Sequence, residues 1–347
     1  MNLFRSALIA LSVVAMGARA SSSGLDPNVV FDQPSPFARN GELLRRLVSP
    51  LQASRIEDRL GDRTRGLDAS PLDRAQQHFA LYVPSAPPPA AGYRLLVFVP
   101  PWSDARVPPQ WLGVLDRTRT IFVTGAQSGN DADVLRRREP LALLAAWNVM
   151  RRYHVDPGRV YIGGFSGGAR VALRLALGYP EVFRGALLDA GSDPIGTAQV
   201  PLPPASTLHR FQQASRIVFV TGDADHIRQA QRMRAGTALQ TWCAFNIDDI
   251  RLPHTAHALA DASGLARAFD SLSKPVIPDI QRIQACRARN HAALAGDFRR
   301  VQALVHAGRL DEAAHALDAA DARYGGLAAP RSLELLQAIE ARAAPPR

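Results

Sequence analysis

The sequence predicts an α/β fold class, with a mostly parallel central sheet flanked by helices and a small all-helical C-terminal appendage. From residue 78 onward, short runs rich in Val, Ile and Phe alternate with longer segments of helical periodicity. The later short runs are continuously apolar, as expected for parallel strands that are buried on both faces. After Pro275 the composition becomes alanine-rich and the strand pattern ends.

The N-terminus has the features of a cleaved secretory signal peptide. Residues 1–20 contain an early arginine, an apolar run too short to span a bilayer, and the closing sequence Ala18-Arg19-Ala20. We therefore expect an exported protein, periplasmic or extracellular, without a stable membrane anchor. The rest divides into an N-terminal arm (21–75), the sheet domain (76–274) and the helical appendage (275–347).

The sheet domain contains seven predicted strands and four predicted helices between them. The strands are predicted at 78–83, 93–99, 120–125, 159–165, 185–191, 216–222 and 245–252. The helices are predicted at 139–153, 168–179, about 227–242 and 258–272, each long enough to connect parallel neighbours. The proline-rich connection 192–215 favours a loop over a long helix. The appendage predicts about three short, weakly tetratricopeptide-like helices, separated by Gly308 and by Gly325-Gly326.

The charge of the chain is positive, but its distribution does not favour a nucleic-acid partner. The formal net charge is +10, and it becomes +8 once Arg5 and Arg19 leave with the signal peptide. Lys274 is the only lysine, and the arginines are scattered among acidic residues instead of forming a stripe. We expect a solvated surface and no nucleic-acid binding, and the oligomeric state stays open.

The two cysteines fit export to an oxidising compartment. Cys243 and Cys286 are far apart in sequence, so they do not have the spacing of a zinc site, and no metal is expected. Because oxidising compartments permit disulfides, we expect a Cys243–Cys286 bridge. Two buried free thiols are the alternative.

One serine lies in a pattern typical of a catalytic nucleophile. Gly164-Phe165-Ser166-Gly167-Gly168 matches G-x-S-x-G, with a predicted strand before it and a predicted helix after it. Flanking glycines allow the strained turn that exposes the serine hydroxyl, and the N–H of Gly167 then points at the reacting carbonyl. A glycine-rich phosphate loop would need a different glycine spacing or a following lysine, and neither is present.

A serine nucleophile needs a histidine to accept its proton and a carboxylate to orient that histidine. Two acids, Asp223 and Asp225, follow the strand predicted at 216–222. Two histidines, His254 and His257, follow the next strand, so either member of each pair satisfies the order serine, acid, histidine. A metal site built on the two histidines would need a third ligand and is not favoured.

The segment "VDPGRVYIGGFSGGARVALRLALGYPEVFRGALLDAG" (155–191) resembles the secreted α/β-hydrolases related to polyhydroxybutyrate depolymerases and feruloyl esterases. The resemblance extends more weakly through "VTGDADHI" to "PHTAHALAD" and covers about 80–273. It implies an α/β-hydrolase fold, with Asp225 as the triad acid and His257 as the base. Asp223 and His254 remain the alternative acid and base.

The chain departs from this family at the second oxyanion-hole donor. The family usually carries His-Gly after the strand at 93–99, whereas this chain has Pro100-Pro101-Trp102. Proline has no N–H to donate, so Trp102 is the first available donor beside Gly167. Trp102 is alternatively only an aromatic wall of the pocket.

The leading hypothesis is a secreted serine hydrolase that cleaves small-molecule or polymeric carboxylic esters through an acyl-enzyme, without a cofactor. The alternative is a catalytically degenerate protein of the same fold, which acts in binding or envelope assembly through its helical tail. That alternative draws its support from the two prolines and from the tail.

Overall fold

The computed structural model describes residues 23–59 and 63–343. The signal peptide predicted for residues 1–20 lies outside the described residues.

Among the described residues the sheet has eight strands, and all of them except β2 run in the same direction. The strands are β1 (Gly24–Val30), β2 (His78–Val83), β3 (Tyr93–Val99), β4 (Thr120–Gly125), β5 (Val155–Phe165), β6 (Gly185–Asp189), β7 (Arg216–Gly222) and β8 (Ile247–Leu252). They lie in the order β1-β2-β4-β3-β5-β6-β7-β8. Both pairings of β2, with β1 and with β4, are antiparallel, and the other pairings are parallel. The predicted α/β-hydrolase fold is confirmed.

Helices cover both faces of this sheet. They are α1 (Asn40–Leu47), α2 (Pro50–Arg59), α3 (Arg63–Asp68), α4 (Leu112–Arg117), α5 (Glu139–Arg152), α6 (Gly167–Gly178), α7 (Ala205–Ala214), α8 (His226–Thr241), α9 (Ala262–Leu272), α10 (Ile280–His306), α11 (Leu310–Tyr324) and α12 (Arg331–Ala343). Two expectations were wrong. The connection 192–215 contains the ten-residue helix α7, and the first C-terminal helix is not short, since it spans 27 residues.

The sheet separates two apolar clusters, which explains the continuously apolar strands. All seven residues of β3 are buried. Leu95 and Val97 pack into one cluster with α5 and α6, whereas Leu96 and Phe98 pack into the other with α9. Alternate side chains of a strand point to opposite faces, so a strand covered on both sides must be apolar throughout.

The N-terminal arm contributes an edge strand that the sequence did not predict, because β1 pairs with β2. The C-terminal helices share the larger apolar cluster with the sheet: Val301 and Tyr324 are buried in it. The expected disulfide is present, and Cys243 and Cys286 have Cα atoms 5.8 Å apart. It joins the segment after α8 to α10. The division into segments at residues 20, 75 and 274 stays a prediction.

Within the described residues, no helix combines the length and the apolar character needed to cross a membrane.

Candidate active site

Ser166 lies on a tight turn between β5 and α6, at the carboxyl edge of the sheet. Its backbone has φ +54° and ψ −117°, a conformation that non-glycine residues rarely adopt. The Ser166 N–H donates a hydrogen bond to the Asp189 carbonyl at the end of β6 (2.8 Å). We call residues 164–168 the serine turn. The neighbouring strand therefore holds the strained residue in place.

Two glycines of the serine turn are required by close backbone contacts. A Cβ atom on Gly164 would lie 2.3 Å from the carbonyl carbon of Gly168. A Cβ atom on Gly168 would lie 1.8 Å from the carbonyl oxygen of Val99, at the end of β3. No side chain fits at either distance without movement of the backbone. The glycines thus allow α6 to begin directly against the sheet.

A continuous chain of hydrogen bonds joins a serine, a histidine and an aspartate. Ser166 Oγ lies 3.0 Å from His257 Nε2, and His257 Nδ1 lies 2.7 Å from Asp225 Oδ2. The serine is followed by the aspartate and then by the histidine in sequence, and the three come from the ends of β5, β7 and β8. This arrangement can transfer a proton from the serine hydroxyl to the imidazole while the carboxylate fixes the ring.

Asp225 and His257 are held in different ways. Asp225 is the N-cap of α8: its Oδ1 accepts a hydrogen bond from the Arg228 N–H (3.2 Å), and its side chain is only 8 % exposed. The His257 side chain is 39 % exposed, and its ring stacks on Phe165 at 5.0 Å between centroids. The carboxylate is therefore anchored in the fold, whereas the imidazole has one side open to substrate and solvent.

The alternative acid and base lie outside this chain of hydrogen bonds. Asp223 Oδ1 instead accepts a hydrogen bond from the Thr255 N–H (3.3 Å). Backbone N–H groups, first that of His254 and then that of Thr255, lower the pKa of this exposed carboxyl. His254 itself adopts a positive φ of +52°. Asp223 thus supports residues 253–261, which we call the histidine loop.

Trp102 follows β3 on a segment that buried groups hold in place. Arg138 donates one hydrogen bond to the Pro100 carbonyl and another to the Ser128 carbonyl, both at 2.9 Å. The Asn130 N–H donates to the Pro101 carbonyl (3.0 Å). The Trp102 ring lies 6.3 Å from that of Phe165, which also stacks on the His257 ring.

A cavity of about 580 Å³ opens at the serine. Its lining residues are Asn130, Val134, Leu135, Arg138, Ser166, Gly167, Arg170, Val171, Arg174, Asp193, Gln199 and Arg228. Sequence reasoning did not single out Asn130 or the arginines. A Cβ atom on Gly167 would lie 2.0 Å from Asn130 Oδ1, which places this amide against the first turn of α6. The only sequence signal for Asn130 is its position shortly after the end of β4.

A second carboxyl group lies buried behind the site. The Asp189 side chain has no exposed surface, and its Oδ2 accepts a hydrogen bond from the Ala260 N–H (2.8 Å). Its Oδ1 has no hydrogen-bond partner among the described residues. Burial raises the pKa of Asp189 to about 8, although the hydrogen bond from Ala260 opposes the shift. This residue links the serine turn to the histidine loop.

Among the described residues, no group of three His, Cys, Asp or Glu side chains is arranged to hold a metal ion.

The chain matches no family model. A stretch of 74 residues is 40% identical to the protein named "Putative esterase NocK" of Nocardia uniformis subsp. tsuyamanensis. This stretch covers 21% of the chain and 19% of NocK, so the chain spans only about a fifth of the length of that curated relative.

Solved structures with a similar arrangement include enzymes named as hydrolases and esterases. The S-formylglutathione hydrolase FrmB of Staphylococcus aureus matches with a TM-score of 0.44 and 11% identity, over 57% of this chain and 93% of its own. The esterase of Pyrobaculum calidifontis matches with a TM-score of 0.42 and 12% identity, over 56% and 78%. No comparison assigns the chain to the polyhydroxybutyrate depolymerase and feruloyl esterase group, so that resemblance stays a prediction.

Proposed function

We propose that the chain is an exported serine hydrolase that cleaves carboxylic esters through an acyl-enzyme. The observation that carries this proposal is the hydrogen-bond chain from Ser166 Oγ to His257 Nε2 (3.0 Å) and from His257 Nδ1 to Asp225 Oδ2 (2.7 Å). A serine hydroxyl becomes an effective nucleophile when a histidine accepts its proton. The partly exposed imidazole and the adjoining cavity leave room for the ester.

In the first half of the reaction, Ser166 Oγ attacks the ester carbonyl as His257 Nε2 takes the hydroxyl proton. Asp225 keeps the proton on Nδ1 and stabilises the imidazolium that forms. The tetrahedral intermediate then collapses, the bond to the alcohol oxygen breaks, and His257 returns its proton to the leaving alcohol. The acyl group remains on Ser166.

In the second half, water attacks the acyl-enzyme, with His257 now acting as base towards water. The carboxylic acid leaves and the Ser166 hydroxyl is restored. We assign the backbone N–H groups of Gly167 and Trp102 to the negative oxygen in both tetrahedral intermediates. The start of α6 supports this assignment for Gly167, because N–H groups and the positive end of the helix dipole converge there.

Two further observations support the proposal. The similarity to NocK adds a stretch of sequence shared with a protein named as an esterase. The disulfide between Cys243 and Cys286 fits an oxidising compartment and therefore export. The cavity limits the size of the ester group that can enter, whether the substrate is small or polymeric. It lies at the carboxyl edge of the sheet, where α/β folds bind ligands.

A fluorophosphonate probe, which reacts with activated serines, tests the proposal. We expect labelling of the wild-type protein, loss of labelling in Ser166→Ala, and retained labelling in Ser103→Ala, a control at an exposed serine in the segment that follows β3. Ser166→Ala should also lower kcat for a chromogenic ester by about 10⁴ or more. If the folded wild-type protein is not labelled and hydrolyses no ester, the proposed serine hydrolase is refuted and the non-catalytic binding protein remains.

A further inference from the structure

The cavity at Ser166 is unusually rich in positive charge. Four arginines line it, Arg138, Arg170, Arg174 and Arg228, and Asp193 is the one acidic side chain among its described lining residues. A cleft with charges of one sign raises the local concentration of ligands with the opposite sign. The question is which of these guanidinium groups are available to a ligand.

Two of the four arginines already have structural partners. Arg138 is 3 % exposed and donates to two main-chain carbonyls, as described above. Arg174 forms an ion pair with the buried Glu139, with Nε 2.5 Å from Oε1, and also donates to the carbonyls of Gln199 and Leu47. These two side chains form the positively charged wall of the cavity, but their donors are largely used by the fold.

The other two arginines, Arg170 and Arg228, have fewer hydrogen bonds and ion pairs within the protein. Arg170 forms a long ion pair with Asp193, with Nε 3.5 Å from Oδ1, but this buried Nε has no hydrogen-bond partner among the described residues. Arg228 donates from Nη1 to the neutral amide of Gln231 (2.7 Å), and within the described chain it forms no ion pair with a carboxylate. Both therefore keep donors for an incoming anion.

These two arginines flank the reacting hydroxyl from different elements. Arg170 lies in the first turn of α6, which begins directly after Ser166, and both residues line the same cavity. Arg228 lies three residues after Asp225, in the first turn of α8. A ligand that reaches both guanidinium groups consequently has its other end close to Ser166.

We propose that the substrate is an ester that carries an anionic group, carboxylate or phosphate, held by Arg170 and Arg228 while Ser166 attacks the ester carbonyl. Guanidinium groups bind both anions through paired hydrogen bonds. This inference rests on the proposed ester hydrolysis and specifies its substrate class. Water still cleaves the acyl-enzyme, and the products are an alcohol and a carboxylic acid, one of which retains the anionic group.

The test compares two chromogenic esters of equal acyl length, 4-nitrophenyl hydrogen adipate and 4-nitrophenyl hexanoate. The measured quantity is the ratio of their kcat/KM values. We expect a ratio well above one in the wild type, and a ratio about ten- to a hundredfold lower in the double variant Arg170→Gln/Arg228→Gln. This loss corresponds to about 1.4 to 2.8 kcal/mol in total for the charge-assisted hydrogen bonds to the anion. Arg234→Gln, an exposed arginine on α8 outside the cavity, should leave the ratio unchanged.

The wild-type comparison alone can overturn the inference, even if the double variant fails to fold. Efficient hydrolysis of the hexanoate with a ratio near one would refute the anionic substrate and leave the proposed ester hydrolysis intact. Hydrolysis of neither ester, together with no fluorophosphonate labelling, would refute both. Competitive inhibition of hexanoate hydrolysis by free adipate and not by inorganic phosphate would assign the anion as carboxylate, and the reverse would assign phosphate.

Discussion

The serine turn and the histidine loop meet at the hydrogen bond between Ser166 and His257, yet they are built differently. The serine turn lies between the sheet and α6, and close backbone contacts at Gly164 and Gly168 fix its path. The histidine loop has little regular structure and connects β8 to α9. Hydrogen bonds to Asp223 and Asp189 hold it near its two ends.

The position of the serine therefore depends on close backbone contacts, whereas the position of the histidine depends also on hydrogen bonds to side chains. In the serine turn, the backbone at Gly164 and Gly168 touches neighbouring backbone, so a side-chain atom added at either glycine must displace a strand or a helix.

In the histidine loop, backbone packing also contributes, since a Cβ atom on Gly222 would lie 2.0 Å from the Thr255 carbonyl oxygen. Hydrogen bonds to the side chains of Asp223 and Asp189 additionally hold the loop on either side of His257. We therefore expect a substitution in the turn to disturb the whole site, and a substitution near the loop to change one step.

The largest predicted loss of activity distinguishes the two aspartates after β7. Asp225→Asn should lower kcat/KM for a chromogenic ester by about 10⁴, because the amide stabilises the wrong histidine tautomer and cannot balance the imidazolium charge. Asp223→Asn keeps an oxygen that can accept from Thr255 and should change the rate little. Equal losses in the two variants, with unchanged circular dichroism, would contradict the assignment of Asp225.

A smaller loss should follow from Gly168→Ala in the serine turn. The added Cβ would approach the Val99 carbonyl oxygen to 1.8 Å, so β3 and α6 must move apart. A displacement of about 1 Å at a catalytic group typically costs about a hundredfold in rate. Kinetics measured together with thermal unfolding should show losses of both activity and stability. Wild-type values for both would contradict steric control of the turn.

The smallest predicted effect is on the pH dependence of stability, and it concerns Asp189, which hydrogen-bonds to both the serine turn and the histidine loop. Its pKa of about 8 in the folded protein lies above its ordinary value of 3.8. Between these values the unfolded chain has lost the proton that the folded chain keeps, so a rise in pH from 5 to 8 favours unfolding. For one group, the free energy of unfolding can fall by at most about 1.4 kcal/mol per pH unit. Asn does not titrate, so Asp189→Asn should remove this part of the pH dependence.

Thermal unfolding of both proteins at pH 5 and pH 8 measures this contribution. The Tm of Asp189→Asn minus that of the wild type should increase by a few degrees between the two pH values. A difference that does not change with pH would show that Asp189 is already ionised in the folded protein.

The contrast between the two regions also explains how far the sequence could predict the molecule. The β5-turn-α6 unit combines an apolar strand, a fixed glycine spacing and a helical period, so its elements were predicted within a few residues. The choice within the pairs Asp223/Asp225 and His254/His257 remained open, because the path of the loop decides which side chains join the hydrogen-bond chain to Ser166. Likewise, β1 depends on pairing with β2, a long-range contact that the local pattern of the arm does not contain.

The arginines of the cavity were not predicted for a related reason. Arg170 and Arg228 belong to helices that are separated by β6, α7 and β7 in sequence, and only the folded sheet brings them to one cavity. In the sequence they are two among many scattered arginines. Composition indicated a solvated positive surface, whereas the structure shows where part of that charge is concentrated.

Direct detection of the covalent intermediate is the decisive measurement. The protein is mixed with 4-nitrophenyl hexanoate, quenched in acid during turnover, digested and examined by mass spectrometry. We predict a hexanoyl group on the peptide that contains Ser166, and neither this adduct nor turnover in Ser166→Ala. Turnover that persists in Ser166→Ala, or an acyl group found on a different residue, would contradict the account.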